Sequence, residues 1–182
     1  MDKKTEIRSL NRKTFFYFLM ALIFILASVT YETFVLRKYA PDNLAGDFQS
    51  HMFEMENDLS ALIGELSDET YLGDPLRTDT LVRNTLEHSY DLYIYTFQND
   101  SLTYWSDNAV PFNEVSGEHS HKGMVLELPN GIYYFRDTVI GEHRIAGLFQ
   151  VKHNYPYQNI YLQNRFHPPF DLPAETSLSI YP

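Results

Sequence analysis

The chain has 182 residues, with 14 Lys or Arg against 24 Asp or Glu, a formal net charge of −10, and no cysteine. From Arg37 onward the balance is 9 basic to 21 acidic residues, a net of −12, which argues against nucleic acid and against an anionic lipid surface as partners of that part, since both demand a basic patch. Without disulfides such a domain must be held by its core, and 13 Phe, 14 Tyr and one Trp supply large side chains for it.

In chain order, residues 1–13 carry Lys3, Lys4, Arg8, Arg12 and Lys13 against Asp2 and Glu6. Then comes TFFYFLMALIFILASVTYETFVL, Thr14 to Leu36, in which Glu32 is the one charge. About 20 apolar residues at ~1.5 Å each cross a hydrocarbon core of roughly 30 Å, so 14–36 reads as a single transmembrane helix. Aromatic rings gather at its start (Phe15, Phe16, Tyr17, Phe18) and near its end (Tyr31, Phe34), where they suit the water interface. Basic residues before it outnumber Arg37 and Lys38 after it, which predicts a cytoplasmic N-terminus and a translocated remainder, residues 37–182. The rival is a cleaved signal peptide; Ala27-Ser28-Val29 is a poor cleavage site and the apolar run is long for one.

Past Pro41, where the helical path bends or breaks, Leu44, Phe48, Met52, Met55, Leu59, Leu62 and Leu66 recur at helical spacing. The stripe predicts an amphipathic helix that packs on the domain's own sheet or pairs with the same helix of a second subunit. Gly73-Asp74-Pro75 closes a loop, and a second helix is expected from Leu76 to His88. Strands follow: Leu92–Phe97, then Leu102–Ser106 after an Asn99-Asp100 turn. A polar loop from Asp107 to Gly123 leads to a meander of Met124–Leu128, Ile132–Val139 and Arg144–Lys152, with Asn130-Gly131 read as a hairpin turn. Asn154 is placed to cap a last helix from Tyr155 to Phe166, stopped by Pro168-Pro169, with an extended tail from Leu172. The class is α+β: an N-terminal transmembrane helix, then helices packed on an antiparallel sheet of about five strands.

Three segments, NDSLTYWSDNAVPF (Asn99 to Phe112), NGIYYF (Asn130 to Phe135) and GLFQVKHNYPYQNIYLQNRFHPPFDLP (Gly147 to Pro173), resemble in this order the extracytoplasmic part of bacterial membrane sensor histidine kinases. The resemblance implies a PAS-like or Cache-like sensor domain in the periplasm, detecting a periplasmic signal as part of a two-component system, and a single-pass inner-membrane location. It also implies a ligand between the concave face of the sheet and the flanking loops. The residues to Pro182 include no second membrane helix, no phosphoacceptor-histidine helix and no ATP-binding lid, so no kinase activity is expected of them. The expectation is a fragment of such a kinase or a free-standing relative of its sensor half. The alternative is a membrane-tethered ligand-binding or scaffold protein.

Catalytic signatures are missing: no cysteine nucleophile, no G-x-S-x-G, no phosphate loop, no G-x-G-x-x-G and no H-E-x-x-H. No cofactor is expected. Glu118-His119-Ser120-His121 is the one candidate metal cluster; His119 and His121 are suitable zinc ligands, but a third fixed ligand is wanting and the segment reads better as a solvated loop. For a small periplasmic ligand the candidate contacts are Trp105, Tyr134 and Arg136. Tyr134 and Arg136 share one strand face, and a guanidinium can clamp a carboxylate. Core packing and an ion pair with a nearby acid explain the same residues. A signal-transmitting helix further predicts a parallel homodimer, since a lone helix has nothing to shift against.

Overall fold

The computed structural model describes residues 3–36, 40–86, 92–111, 123–170 and 172–178. The chain divides into two compact units, Met1–Asp47 and Phe48–Pro182.

In the first unit, α1 runs over Lys3–Thr30 and continues as a π-helical turn, Tyr31–Leu36. Its stretch Thr14–Thr33 is 20 residues long, apolar and wholly uncovered by protein, long and apolar enough to cross a membrane. Thr30 Oγ1 donates to the Leu26 carbonyl at 2.7 Å, which satisfies a hydroxyl on an otherwise apolar surface. Helix α2 spans Pro41–Leu66, so the boundary of the units falls inside it. Pro41 holds its first position, where proline's missing N–H costs nothing.

In the second unit, Met55, Leu59, Leu62, Ile63 and Leu66 of α2 are buried against the sheet, with Phe48 and Met52 partly covered. The lower stripe therefore belongs to the domain's own core. Helix α3, Pro75–Leu86, starts two residues after Gly73, whose φ of 76° lies in the left-handed region that glycine enters without steric cost. Asp74 caps it, its Oδ1 accepting from Leu76 N (3.1 Å) and Arg77 N (3.2 Å), with Pro75 at the first helical position.

The strands are β1 Leu92–Gln98, β2 Ser101–Trp105, β3 Met124–Leu128, β4 Gly131–Ile140, β5 His143–His153 and β6 Arg165–Phe166. They form one antiparallel sheet in the order β2-β1-β5-β4-β3, with β6 paired to the end of β5. The sheet has six strands among the described residues rather than about five. The β1–β2 turn places Asn99 and Asp100 at φ 48° and 60°, the twist that matches tight hairpins. Its backbone is tied across to the β4–β5 turn by Asn99 N donating to Glu142 O (2.9 Å).

Two sequence expectations fail. Asn130-Gly131 is not the turn centre: Leu128 pairs with Gly131, so Pro129 and Asn130 make the turn and Gly131 already lies in β4. Glycine is needed there because a Cβ would stand 2.5 Å from both Gln150 Nε2 and the Lys152 carbonyl oxygen. The helix expected over Tyr155–Phe166 is likewise absent, replaced by turns, β6 and a 3-10 turn at Pro168–Phe170. Side-chain amides of Asn154, Gln158, Asn159 and Asn164 take up the backbone and one another, offering the chain a non-helical alternative.

Both faces of the sheet are apolar. One packs Ile94, Tyr104, Ile132, Tyr134, Ile145, Phe149 and Val151 beneath α2 and α3. The other buries Tyr93, Tyr95, Phe97, Tyr133, Phe135, Ala146 and Leu148. Such double coverage accounts for strands that read as aromatic and β-branched runs without alternation.

Candidate functional site

Tyr134 and Arg136 sit two residues apart on β4 and face α2 together. The Tyr134 ring stacks on Phe149 with centroids 4.9 Å apart, and its hydroxyl donates to Glu56 Oε1 at 2.5 Å. Burial first, and the Glu56 carboxylate second, push the Tyr134 phenol well above its ordinary pKa. Gly123, at φ 88°, brings its backbone so close to this hydroxyl that a Cβ would collide with it. Arg136 Nη1 donates to Ser60 Oγ at 2.7 Å and lies 3.7 Å from Glu56 Oε1. The pair thus fastens one turn of α2, Glu56 to Ser60, onto the centre of the sheet.

Trp105 is elsewhere. It stands opposite Tyr95 on β2, one residue from the inward Tyr104, so it projects to the other face and is 49% exposed. The structure brings Tyr134 and Arg136 together and leaves Trp105 apart from them. His119 and His121 lie outside the described residues, and among the described residues no group of three or more His, Asp or Glu is gathered to hold a metal.

The face opposite α2 carries a polar cluster that the sequence pattern did not single out. Arg144 Nε donates to Asp137 Oδ2 at 2.8 Å; the Asp137 side chain is 0% exposed and that of Arg144 17%. The guanidinium lies 5.8 Å from the centroid of the Phe97 ring, and Arg144 Nη2 is buried with no hydrogen-bond partner among the described residues. Aromatic rings of Tyr93, Tyr95, Tyr133 and Phe135 line the same face. The Tyr95 hydroxyl donates to the Asp107 carbonyl at 3.1 Å, and burial pushes its phenol up to about 12. A guanidinium with a spare N–H edge in apolar surroundings suits a carboxylate or a carbonyl oxygen. The available signal was the register: Asp137, Arg144 and Phe97 share a face once the β1–β5–β4 pairing is known.

At the far end of the β3–β4 hairpin, Glu127, Leu128, Pro129, Asn154, Tyr155 and Pro156 line an open depression of about 390 Å³. Beside it the Tyr155 ring stacks on His153 with centroids 5.9 Å apart. Compared with protein-family models, with curated proteins and with solved structures, the chain matches none.

Proposed function

We propose that this chain is the membrane-anchored sensor part of a two-component histidine kinase. In this reading α1 crosses a bacterial inner membrane once, its N-terminus in the cytoplasm, and the α+β unit faces the periplasm as a PAS-like or Cache-like domain. The supporting observation is the joining of a 20-residue, fully uncovered apolar helix to a unit whose sheet is helix-backed on one face. The aromatic opposite face, with the Arg144 guanidinium among its rings, is the place for a small ligand bearing an oxygen acceptor. Assembly as a homodimer belongs to the same reading. The seam is then left to residues before Met55, because the rest of the α2 stripe is occupied by the sheet.

The test is a topology reporter fused after Pro182. Activity that requires export supports the reading, and a cytoplasmic reporter overturns it. A second reading, a membrane-tethered binding or scaffold protein, is favoured by one observation: Tyr134 and Arg136, the contacts expected for a ligand, are engaged by α2. DNA downstream of the coding sequence separates the two. Continuation into a second apolar helix and a kinase core favours the sensor, and an unrelated gene the tether.

A further inference from the structure

The segment between β5 and β6, Asn154 to Asn164, turns an apolar edge outward. Tyr157, Ile160 and Tyr161 are 70%, 79% and 85% exposed, which is unusual for large apolar side chains placed so near one another. The segment is nonetheless built. Asn159 Oδ1 accepts from the backbone N–H of Tyr161 (2.8 Å) and Leu162 (2.9 Å), and Asn159 N donates to the Leu162 carbonyl (2.9 Å), so Ile160 and Tyr161 form the tip of a closed turn. Asn164 clamps the base: its Oδ1 accepts from Tyr155 N (2.7 Å) and its own N donates to Gln158 Oε1 (3.0 Å). Polar amides hold the turn from within while the apolar groups are left free to meet something outside.

Charge and position name the occupant. From His143 to Phe170 there is no Asp or Glu, in a chain that has 24, and Arg165 at the base of the turn is exposed. An acid-free stretch whose turn carries three tyrosines, one isoleucine and one leucine matches a phospholipid interface, where tyrosine sits at headgroup level and aliphatic groups reach the acyl boundary. The base of the turn adjoins the place where the chain enters this unit: Phe48, its first residue, meets Phe166 (ring centroids 6.4 Å) and Phe170 (5.1 Å). Thr33, the end of the apolar span, is 15 positions earlier; of the residues between, 34–36 finish the π-helical turn and 41–47 begin α2, so the link reaches at most about 35 Å.

We infer that the Tyr157–Tyr161 turn is a second membrane contact, dipping Ile160 and Tyr161 into the interface of the bilayer that α1 spans. It rests on the membrane reading above. The test uses the full chain with Trp105→Phe and Tyr161→Trp, reconstituted in phosphatidylcholine vesicles with or without bromine on the acyl chains. Tyr17→Trp in the Trp105→Phe background reports α1 itself.

Blue-shifted emission at 161 that falls by half or more over brominated lipid is the expected result. Quenching at 17 with water-like, unquenched emission at 161 overturns the inference and leaves the anchor standing. No quenching at either position overturns both. A blue shift at 161 without quenching assigns the turn to a protein surface and overturns the lipid contact. Because the chain has no cysteine, Ile160→Cys carrying a nitroxide gives an independent reading: greater relaxation by oxygen than by a water-soluble nickel chelate is expected, and the reverse refutes it.

Discussion

Gly147 is where α2 touches the sheet most closely, and a single methyl there should be felt. It lies in the middle strand, opposite Ile94 on one side and Arg136 on the other. A Cβ at this position would collide with Leu59 Cδ1 and press on Ile63 Cδ1 at 3.1 Å and Ile94 Cδ1 at 3.3 Å. Leu59 and Ile94 are both 0% exposed, so neither has room to swing aside. Gly147→Ala should therefore cost about 1–3 kcal/mol by overpacking. Leu59→Ala should cost about 2–5 kcal/mol through lost burial and the void it leaves. The new methyl at 147 points into that void, so the double variant should lose about 0.5–3 kcal/mol less than the two single losses together. Urea unfolding of the full chain in mild detergent, followed by near-ultraviolet circular dichroism of the buried tyrosines, reads all three. With a slope of about 2 kcal/mol/M, a 2 kcal/mol loss lowers the midpoint by about 1 M. A neutral Gly147→Ala, or a double variant whose losses simply add, would refute close packing of α2 at this point.

Three further outcomes follow from the polar groups. Asp137→Ala should cost about 3–5 kcal/mol by stranding the Arg144 guanidinium, whereas Asp137→Leu combined with Arg144→Met should recover most of it; equal losses in the two variants would refute the buried pair. Tyr134→Phe should cost about 1 kcal/mol in the same urea assay by removing the hydroxyl's bond to Glu56; unchanged stability would remove Tyr134 from the fastening of α2. Burial holds the Tyr95 and Tyr104 phenols up at about 12, above the value near 10 of an unfolded tyrosine, so their contribution is complete below pH ~10 and lost as pH climbs toward 12. Stability measured from pH 9 to 12 should fall across that window, less steeply in Tyr95→Phe, and a flat profile would contradict burial of these phenols.

How far the sequence carried the fold can be seen at the turns. Gly73-Asp74-Pro75 predicts its helix start because each residue acts locally: the glycine takes a left-handed backbone, the aspartate caps with its side chain, and the proline fixes φ. Asn99-Asp100 is legible for the same local reason. Asn130-Gly131 misleads because Gly131 is glycine for a distant cause, the approach of Gln150 and Lys152 across the β4–β5 pairing. The Tyr155–Phe166 segment misleads in a related way. Its length, Asn154 and Pro156 fit a capped helix, but its asparagines recur where their amides can close turns among themselves, and that competition is settled only in three dimensions.

The candidate site was less legible in the sequence than the fold, and the α2 stripe shows the reason. Seven apolar residues at helical spacing specify that something covers them, and a sheet or a second helix satisfies the pattern equally. What decides for the sheet lies some 80 residues further on, in Gly147: a strand lacking a side chain at its centre admits the Leu59 side chain, while an ordinary side chain there would hold the helix off. Tyr134 and Arg136 follow from that placement. Once Leu59 is seated, Glu56 and Ser60 on either side of it come within reach of β4, and the phenol and guanidinium have partners before any ligand arrives. The other face of the sheet differs. There Arg144 is tied to Asp137 through Nε, its Nη2 has no partner among the described residues, and no described helix of this unit contributes to the packed cluster around it. In the sensor reading proposed above, that guanidinium, held through Nε and without a described partner at Nη2, is the group offered to an oxygen acceptor.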